Sequence, residues 1–592
     1  MSPNLNHADV TVDTPTPPPA WALMERELIR AQTRACEAFF AKYFDERGYL
    51  KCIPRWGGND GADDAIENLV HWPTLYVLGG ADSLMEMCKL AWEGHLRQYT
   101  EARTTEVPFA RDGMYYKEFP VMFDWVHNAE SLTTFNSHGL FDPYERSFQD
   151  RVRRFAGFYM NEDPQAPNYD PEHKIIRSLF NGSRGPLLRK ATAIDWAGDP
   201  LAEVEGRFVA LHGERNFEEM LEHFKDYTDI IGDHPQNMVA TALAFNAYAL
   251  TGEAKYRDWV LEYVDAWCDR TGKNDGIIPS NIGLDGTIGG ACGGKWYGGC
   301  YGWAFTVTVP PSYEPSNRNS IYRSITGFGN ALLLTGDQRY VNVWREMLDK
   351  VKSNKKVVDG QEVYPHMYGD DGWYAFSPQP YSHGALEVFY WSMDRADLDR
   401  LSTTSGWTGF LEGNNPDFPV AALGQDFETL RRRMEHVIQD PSTTDTRLSD
   451  NTNPFNPAIV SNLVHLMLGG LPTEHSGPLH CRVRYFDPAR QRAGLPEDVG
   501  ALVEKLGPDS MTLRLVNLNQ SEERALIVQG GAYGEHRFVS VTAGDDRVKL
   551  DGSTFTVQLA PGAGSALEIE MERYAQMPAF AFPWDVNAAS RK

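Results

Sequence analysis

Cysteine is scarce and scattered: seven residues in 592, with no two in Cys-x-x-Cys spacing. That pattern gives no disulfide framework and no zinc knuckle, and an odd, unpaired set fits a reducing compartment. Positive charge is also short. Lys and Arg number 56 against 81 Asp and Glu, a net charge of −25. Nucleic acid and acidic membrane both require clustered basic surface, so neither is an expected partner. No apolar run reaches membrane-spanning length. The polar, proline-rich start lacks the apolar stretch of a signal peptide, so residues 1–20 read as a disordered leader on a cytoplasmic protein. Phosphate-binding motifs are missing too. LEGNNP (411–416) and GGACGG (289–294) are glycine loops without the strand context that nucleotide sites need. No cofactor is expected, and no metal. The spacing of Asp60, Asp63 and Asp64 does not match a calcium-binding EF-hand loop.

A repeat organises what is present. NMVATALAFNAYALTGEAKYRDWVLEYVDAW (237–267) and NSIYRSITGFGNALLLTGDQRYVNVWREMLD (319–349) share one plan. A small, apolar helical run ends at Thr-Gly, an acid follows, and Tyr and Trp mark a second helix with one charged face. Glycine supplies the left-handed residue that stops the first helix. A helix apolar all round is buried, and one with a charged face looks outward. Each copy is therefore a hairpin of an inner and an outer helix. Looser copies occupy 71–96, 127–155 and 381–401. Residues 21–43 read as a first outer helix and 456–470 as a last inner one, and 174–225 has room for a further pair. Six or seven hairpins predict a closed (α/α)6 or (α/α)7 barrel over 21–475. Residues 480–572 change character, with period-two runs such as SMTLRLVNL and TFTVQLA separated by turns. These predict a small antiparallel β-sandwich, followed by a C-terminal tail over 573–592.

This order of elements resembles the (α/α)-barrel carbohydrate-active enzymes, the six-hairpin glycosidases and (α/α)-toroid polysaccharide lyases. The resemblance covers about three quarters of the chain and is one of architecture. It implies an oligo- or polysaccharide substrate and a cleft where the inner helices begin. Polar groups do concentrate there, while the opposite ends carry Thr-Gly, Gly-Gly and Met-Asp turns. Asp60, Asp63, Asp64 and Trp56 precede or open the first inner helix; Asp124, Trp125 and His127 open the second. His234 precedes another. Asn317, Arg318, Asn319 and Tyr322 open the next, and Tyr381 and His383 the one after. Hydrolysis needs two carboxyls flanking the bond. Asp124, between Phe123 and Trp125, is the expected general acid, with a carboxylate from the Asp60/Asp63/Asp64 group facing it in an inverting arrangement. β-Elimination at a uronic acid is the alternative, with a base among His127, His383 and Tyr381 and neutralisers among Asn317, Arg318 and Asn319. A glycan-binding scaffold without catalysis is a third reading. Trp296, Tyr297 and Trp303, in a glycine-rich stretch over 272–316, are expected to form a sugar platform, with Trp373 on a further loop.

Overall fold

The computed structural model describes residues 9–56, 61–104, 107–198, 214–310, 312–402, 406–473 and 476–585. The chain is mainly helical, with a strand-rich C-terminal region. Long outer helices alternate with short inner ones. The outer set is α1 (Ala20–Tyr43), α4 (Asp82–Glu101), α6 (Arg146–Gly157), α10 (Ala254–Lys273), α12 (Arg339–Ser353) and α15 (Phe418–Gln439). The inner set is α2 (Ala62–Glu67) running into α3 (Trp72–Val77), then α5 (His127–His138), α9 (Thr241–Thr251), α11 (Ile325–Thr335), α13 (Ala385–Ser392) and α16 (Ser461–Leu463). Three short helices lie in connections: α7 (Ala193–Ala197), α8 (Phe217–His223) and α14 (Gly406–Leu411). The first outer helix packs on the last, α1 on α15, and α2 meets both α5 and the turn Ser449–Phe455. No described helix is long and apolar enough to cross a membrane.

The repeat has the expected local cause. α9 and α11 are buried along nearly their whole length, and each ends on a glycine at φ 69°. Gly252 N–H donates to Tyr248 O and Gly336 N–H to Leu332 O, both at 2.7 Å, closing the last turn. Asp337 then accepts from the Arg339 N–H at 2.9 Å at the start of α12. Among its described residues the stretch 174–225 adds no further hairpin of this kind; its α-helices there are the short α7 and α8.

Apart from five two-stranded hairpins in the connections of the helical part, the described strands form two five-stranded sheets. With β1 at Val10–Val12, β2 Val483–Asp487, β3 Arg492–Ala493, β4 Val499–Leu506, β5 Ser510–Asn517, β6 Arg524–Gly530, β7 Arg537–Ala543, β8 Asp546–Gly552, β9 Thr554–Leu559 and β10 Gly564–Glu572, the orders are β1-β9-β6-β2-β3 and β4-β5-β10-β7-β8. β1 corrects the expected disordered leader. Val10 and Val12 are buried, and the strand pairs in parallel with β9, Val10 opposite Val557. Alternation over three residues was too short to read as a strand. The tail packs on the helical part: Phe580 and Phe582 are buried, and Phe580 N–H donates to Ala249 O at 2.9 Å.

This C-terminal region satisfies the carbonyls that inner helices leave open at their last turn. Arg573 donates to Trp391 O at 2.9 Å and Ser392 O at 3.1 Å, in the last turn of α13. Arg492 donates to Gly80 O at 2.6 Å and Tyr76 O at 3.2 Å, at the end of α3. Arg484 donates to Leu140 O, past α5, and Tyr485 OH to Met467 O at 2.6 Å, beyond α16. One end of the inner-helix set is therefore covered. The other, where those helices begin, carries the long connections.

Candidate active site

Two inner helices bring their first turns together. On α2, Asp64 caps its own helix, accepting from the Gly61 N–H at 2.6 Å. Asp63 points across to α5: its Oδ2 is 3.9 Å from His127 Nε2, and its Oδ1 is buried without a protein partner. Glu130, one turn along α5 from His127, lies 3.7 Å from Arg323 Nη2. Glu67, one turn along α2 from Asp63, accepts from Asn453 at 3.3 Å. Carboxyl and imidazole atoms of Asp63, His127 and Glu130 all lie within 4.8 Å of one another.

Burial and mutual repulsion set the protons. Burial raises Asp63 to about 6, against the lowering charge of His127 and with Asp124 adding to the rise. Burial raises Glu130 to about 7; His127 and Arg323 oppose this and Asp63 reinforces it. Glu67 is pushed to about 9 by burial, then by Glu130 and Asp63. Asp64 is raised by burial and by Asp63. A carboxyl that cannot ionise beside another holds its proton into the neutral range.

Asp124 behaves in the opposite way from its expected role. It is fully buried, as its apolar neighbours suggested, but its Oδ1 receives the Val126 N–H at 2.8 Å, the His127 N–H at 3.0 Å and His127 Nδ1 at 2.8 Å. Burial alone would raise it; the His127 charge and these hydrogen bonds outweigh that and hold it below 3.8. An acid kept ionised has no proton to give. Asp124 instead orients His127 and keeps it charged: burial pulls His127 down, but Asp124, Asp63 and Glu130 hold it well above 6.5. The i, i+3 spacing of Asp124 and His127 was visible; the direction of its effect on the acid was not read. Asp60 lies outside the described residues.

Beside this cluster opens a cavity of about 300 Å³. Of the expected binding residues it is lined by Trp56, Asn317, Arg318, Asn319 and Tyr322, together with His127 and Arg323. Trp56 stacks on Phe123 at 4.2 Å, and Phe123 on His127 at 5.7 Å, so an aromatic ladder leads to the imidazole. Tyr301, an aromatic of the glycine-rich 272–316 stretch, supplies a further wall, as do Trp196 and Tyr227, which the sequence reading missed. Trp196 and Tyr227 come from the 158–234 connection, whose sequence has no periodicity to flag them.

Several expected ligands of a sugar lie elsewhere. Trp125 is fully buried, its Nε1 donating to Asn181 at 2.9 Å. His234 is buried 3.5 Å from Asn281, and burial holds it down at about 4. Trp303 is a core residue with no exposure, donating to Ile278 O at 2.9 Å. This corrects the platform: a large indole in a glycine-rich loop packed inward because a backbone acceptor was waiting there. Trp296 and Tyr297 are half-buried and pack on Tyr368, with Tyr297 OH donating to Asp370 at 2.8 Å. Trp373 packs on Tyr368 at 5.0 Å. None of these three lines the 300 Å³ cavity. His383 stacks on Tyr322 at 4.9 Å and meets Tyr381 at 5.1 Å; Tyr381 OH is buried without a protein partner.

Two clusters among the described residues have the composition of a cation site. His138, Asp142 and Glu145 already surround Lys89, 3.2 Å from Glu145. Asp63, His127 and Glu130 have ligand atoms close enough for a divalent ion, although the His127 charge competes with one.

The chain is similar to three solved structures of sugar-handling proteins. A D-mannose isomerase aligns at 11% identity and TM-score 0.36, over 65% of this chain and 86% of that one. An inactive variant of an α-1,6-mannanase, GH76A of Salegentibacter sp. HEL1_6, in complex with α-1,6-mannotriose, aligns at 9% and 0.31, over 75% and 99%. A cellobiose 2-epimerase from Bacillus thermoamylovorans B4167 aligns at 11% and 0.25, over 58% and 89%. Likeness at these scores carries no argument about activity. No curated protein matches the sequence. Residues 9–368 match one protein family, and the chain belongs to it: the family described as "Domain of unknown function (DUF8034)".

Proposed function

We propose that this chain is a carbohydrate-processing enzyme that hydrolyses a glycosidic bond. Its helical part, over about 21–475, is read as a six-hairpin (α/α) barrel carrying the site, and 480–572 as a β-sandwich bracing the closed end. The observation that supports hydrolysis is the Asp63–His127–Glu130 cluster beside an aromatic-walled cavity. Glycoside cleavage requires one carboxyl holding a proton and another without one. Glu130, at about 7, donates to the leaving oxygen. Asp63, at about 6, is the ionised partner. Their oxygens lie within 4.8 Å, closer than the roughly 6.5–9.5 Å of inverting pairs and near the roughly 5–5.5 Å of retaining ones. That separation supports a retaining arrangement in place of the inverting one expected from the sequence. His127⁺, held by Asp124, keeps Asp63 ionisable in a buried place.

A second reading, β-elimination at a uronic acid, is favoured by one observation: Arg318, Arg323 and His127 all line the cavity, where a carboxylate would sit. A panel of neutral and uronic oligosaccharides separates the two. New reducing ends without unsaturated product support hydrolysis. Ultraviolet absorbance from an unsaturated uronide transfers the assignment to elimination. No reaction on any member, with no sugar bound, removes the carbohydrate reading.

A further inference from the structure

Aromatic rings run away from the 300 Å³ cavity in a continuous series of contacts. Tyr322, in the cavity wall, stacks on His383 at 4.9 Å, and His383 meets Tyr381 at 5.1 Å. Tyr381 meets Trp303 at 5.5 Å, and Trp303 meets Trp373 at 5.8 Å. Trp373 lies 5.0 Å from Tyr368, which packs on Trp296 at 4.7 Å and on Tyr297 at 5.1 Å. Hydrogen bonds also tie the cavity wall to this series. Thr306 Oγ1 donates to Asn317 Oδ1, in the wall, at 2.8 Å and accepts from Tyr374 OH, next to Trp373, at 2.8 Å.

The members differ in exposure. Trp303 and Tyr381 are buried links. His383 is exposed, and Tyr322, Trp373, Tyr368, Trp296 and Tyr297 are half-buried. Single apolar side chains at a surface need no explanation, but a contiguous run of them marks a binding surface. The outer rings sit on fixed backbone. Ser280 N–H donates to Trp296 O at 2.7 Å, Ala304 N–H to Tyr297 O at 3.0 Å, and Tyr368 N–H to Trp303 O at 3.0 Å. Tyr368 and Trp373 are directly opposite one another in a two-stranded hairpin. Rings held in place beforehand lose little freedom when a ligand stacks on them.

The charged pair at the outer end is closed on itself. Lys295 and Asp370 lie 2.7 Å apart, and Tyr297 OH donates to Asp370 at 2.8 Å. What the run offers is therefore flat apolar faces with polar edges. A sugar chain presents the complement, C–H faces rimmed by hydroxyls.

We propose that this aromatic run is an outlying subsite for a long oligosaccharide chain, one end of which occupies the cavity. The inference rests on the carbohydrate reading above and not on which groups cleave. The test is the dependence of kcat/KM on chain length, from two sugars to eight, with oligosaccharides of β-1,4-glucan, β-1,4-mannan, β-1,3-glucan and α-1,4-galacturonan. The parent chain is compared with Trp296→Ala and with Trp373→Ala. In the parent, kcat/KM is expected to rise with length. Each variant is expected to lose about fivefold or more on the longest chains relative to the shortest, mainly through KM, with the melting temperature retained. A flat dependence in the parent, or an unaltered one in both folded variants, overturns the outlying subsite and leaves the cleaving pair standing. Self-association of the parent in sedimentation, abolished by either variant with the length dependence unaltered, gives the rings to a second copy of the chain and overturns it too. No cleavage and no binding of any member overturns the carbohydrate reading beneath it as well. Where an alanine variant fails to fold, Trp296→Leu or Trp373→Leu takes its place in the same comparison.

Discussion

Replacing Asp124 with asparagine separates a residue that donates a proton from one that holds a histidine. The side chain is fully buried and gathers three donors on one oxygen. Asparagine keeps an oxygen for the two backbone N–H groups, so what disappears is the negative charge beside His127. Breaking a buried ion pair costs about 3–5 kcal/mol when the surviving charge stays unpaired. His127 is 22% exposed and can release its proton. The expected loss of stability is therefore lower, about 2 kcal/mol, in the range of one charge-assisted hydrogen bond. The sign with pH follows from the two shifts. Asp124 is depressed, so its contribution is present above about 3.8 and lost as pH falls; His127 is raised, so its contribution is complete below about 6.5 and lost as pH rises through its folded value. The difference between the two proteins is greatest between about pH 4 and 6.5. Denaturant melts across pH measure it, and NMR of the imidazole nitrogens reports the fall in His127 directly. The activity consequence is specific. A neutral His127 no longer lowers Asp63 and Glu130, so both limbs of the pH–rate curve move to higher pH, by about one unit. Peak turnover should fall less than it would for loss of a general acid. A drop of a hundredfold or more at every pH, with no displacement of the curve, would mean that Asp124 itself transfers the proton. An unchanged imidazole titration would refute the pairing.

Three further outcomes are expected. Gly252→Ala should cost about 1–2 kcal/mol, a backbone cost alone, since a Cβ there meets nothing within 4 Å; Gly336→Ala should cost more, because its Cβ would come 3.1 Å from Tyr574 Cβ, and urea denaturation compares the two. Trp303→Ala should lose about 3–5 kcal/mol or fail to fold, whereas Trp296→Ala, at a half-buried ring, should melt close to the parent by calorimetry. Extended dialysis against a chelator should leave turnover intact, because a charged His127 already occupies the charge balance of the acidic cluster; activity lost to chelation and restored by one divalent metal would reassign Asp63, His127 and Glu130 as its ligands.

Much of the helical framework was legible. Thr-Gly after a small apolar run announced a left-handed stop, and both copies place glycine at φ 69°. The inner-helix starts, read near Asp63, Trp125, Pro235, Asn319 and His383, fall close to Ala62 and His127, to the 3-10 turns Pro235–Ala240 and Ile321–Ser324 that lead into α9 and α11, and to Ala385; the last, read near Asn456, begins five residues later at Ser461. Asp63 and His127 were found because a helix N-terminus gathers such groups. The proximity of Glu130 and Arg323 depends on how α5 and the start of α11 sit across the structure, and no sequence spacing encodes it. Trp303 and Trp125 were misplaced because an indole reads the same on a surface and in a core; the partner that decides, Ile278 O or Asn181, is distant in sequence or hidden in a loop. β1 was missed since its partner lies more than five hundred residues away.

The most direct test of the cleaving pair is the pH dependence of kcat/KM on the best oligosaccharide, for the parent chain and for Glu130→Gln. Asp63 must be ionised and Glu130 protonated, so the parent should show a narrow bell with limbs near the values of about 6 and about 7. Glu130→Gln should lose the alkaline limb and fall by about 10²–10⁴-fold. A rate constant across pH 5–8 in the parent, or near-parent turnover in Glu130→Gln, would contradict the assignment of Asp63 and Glu130.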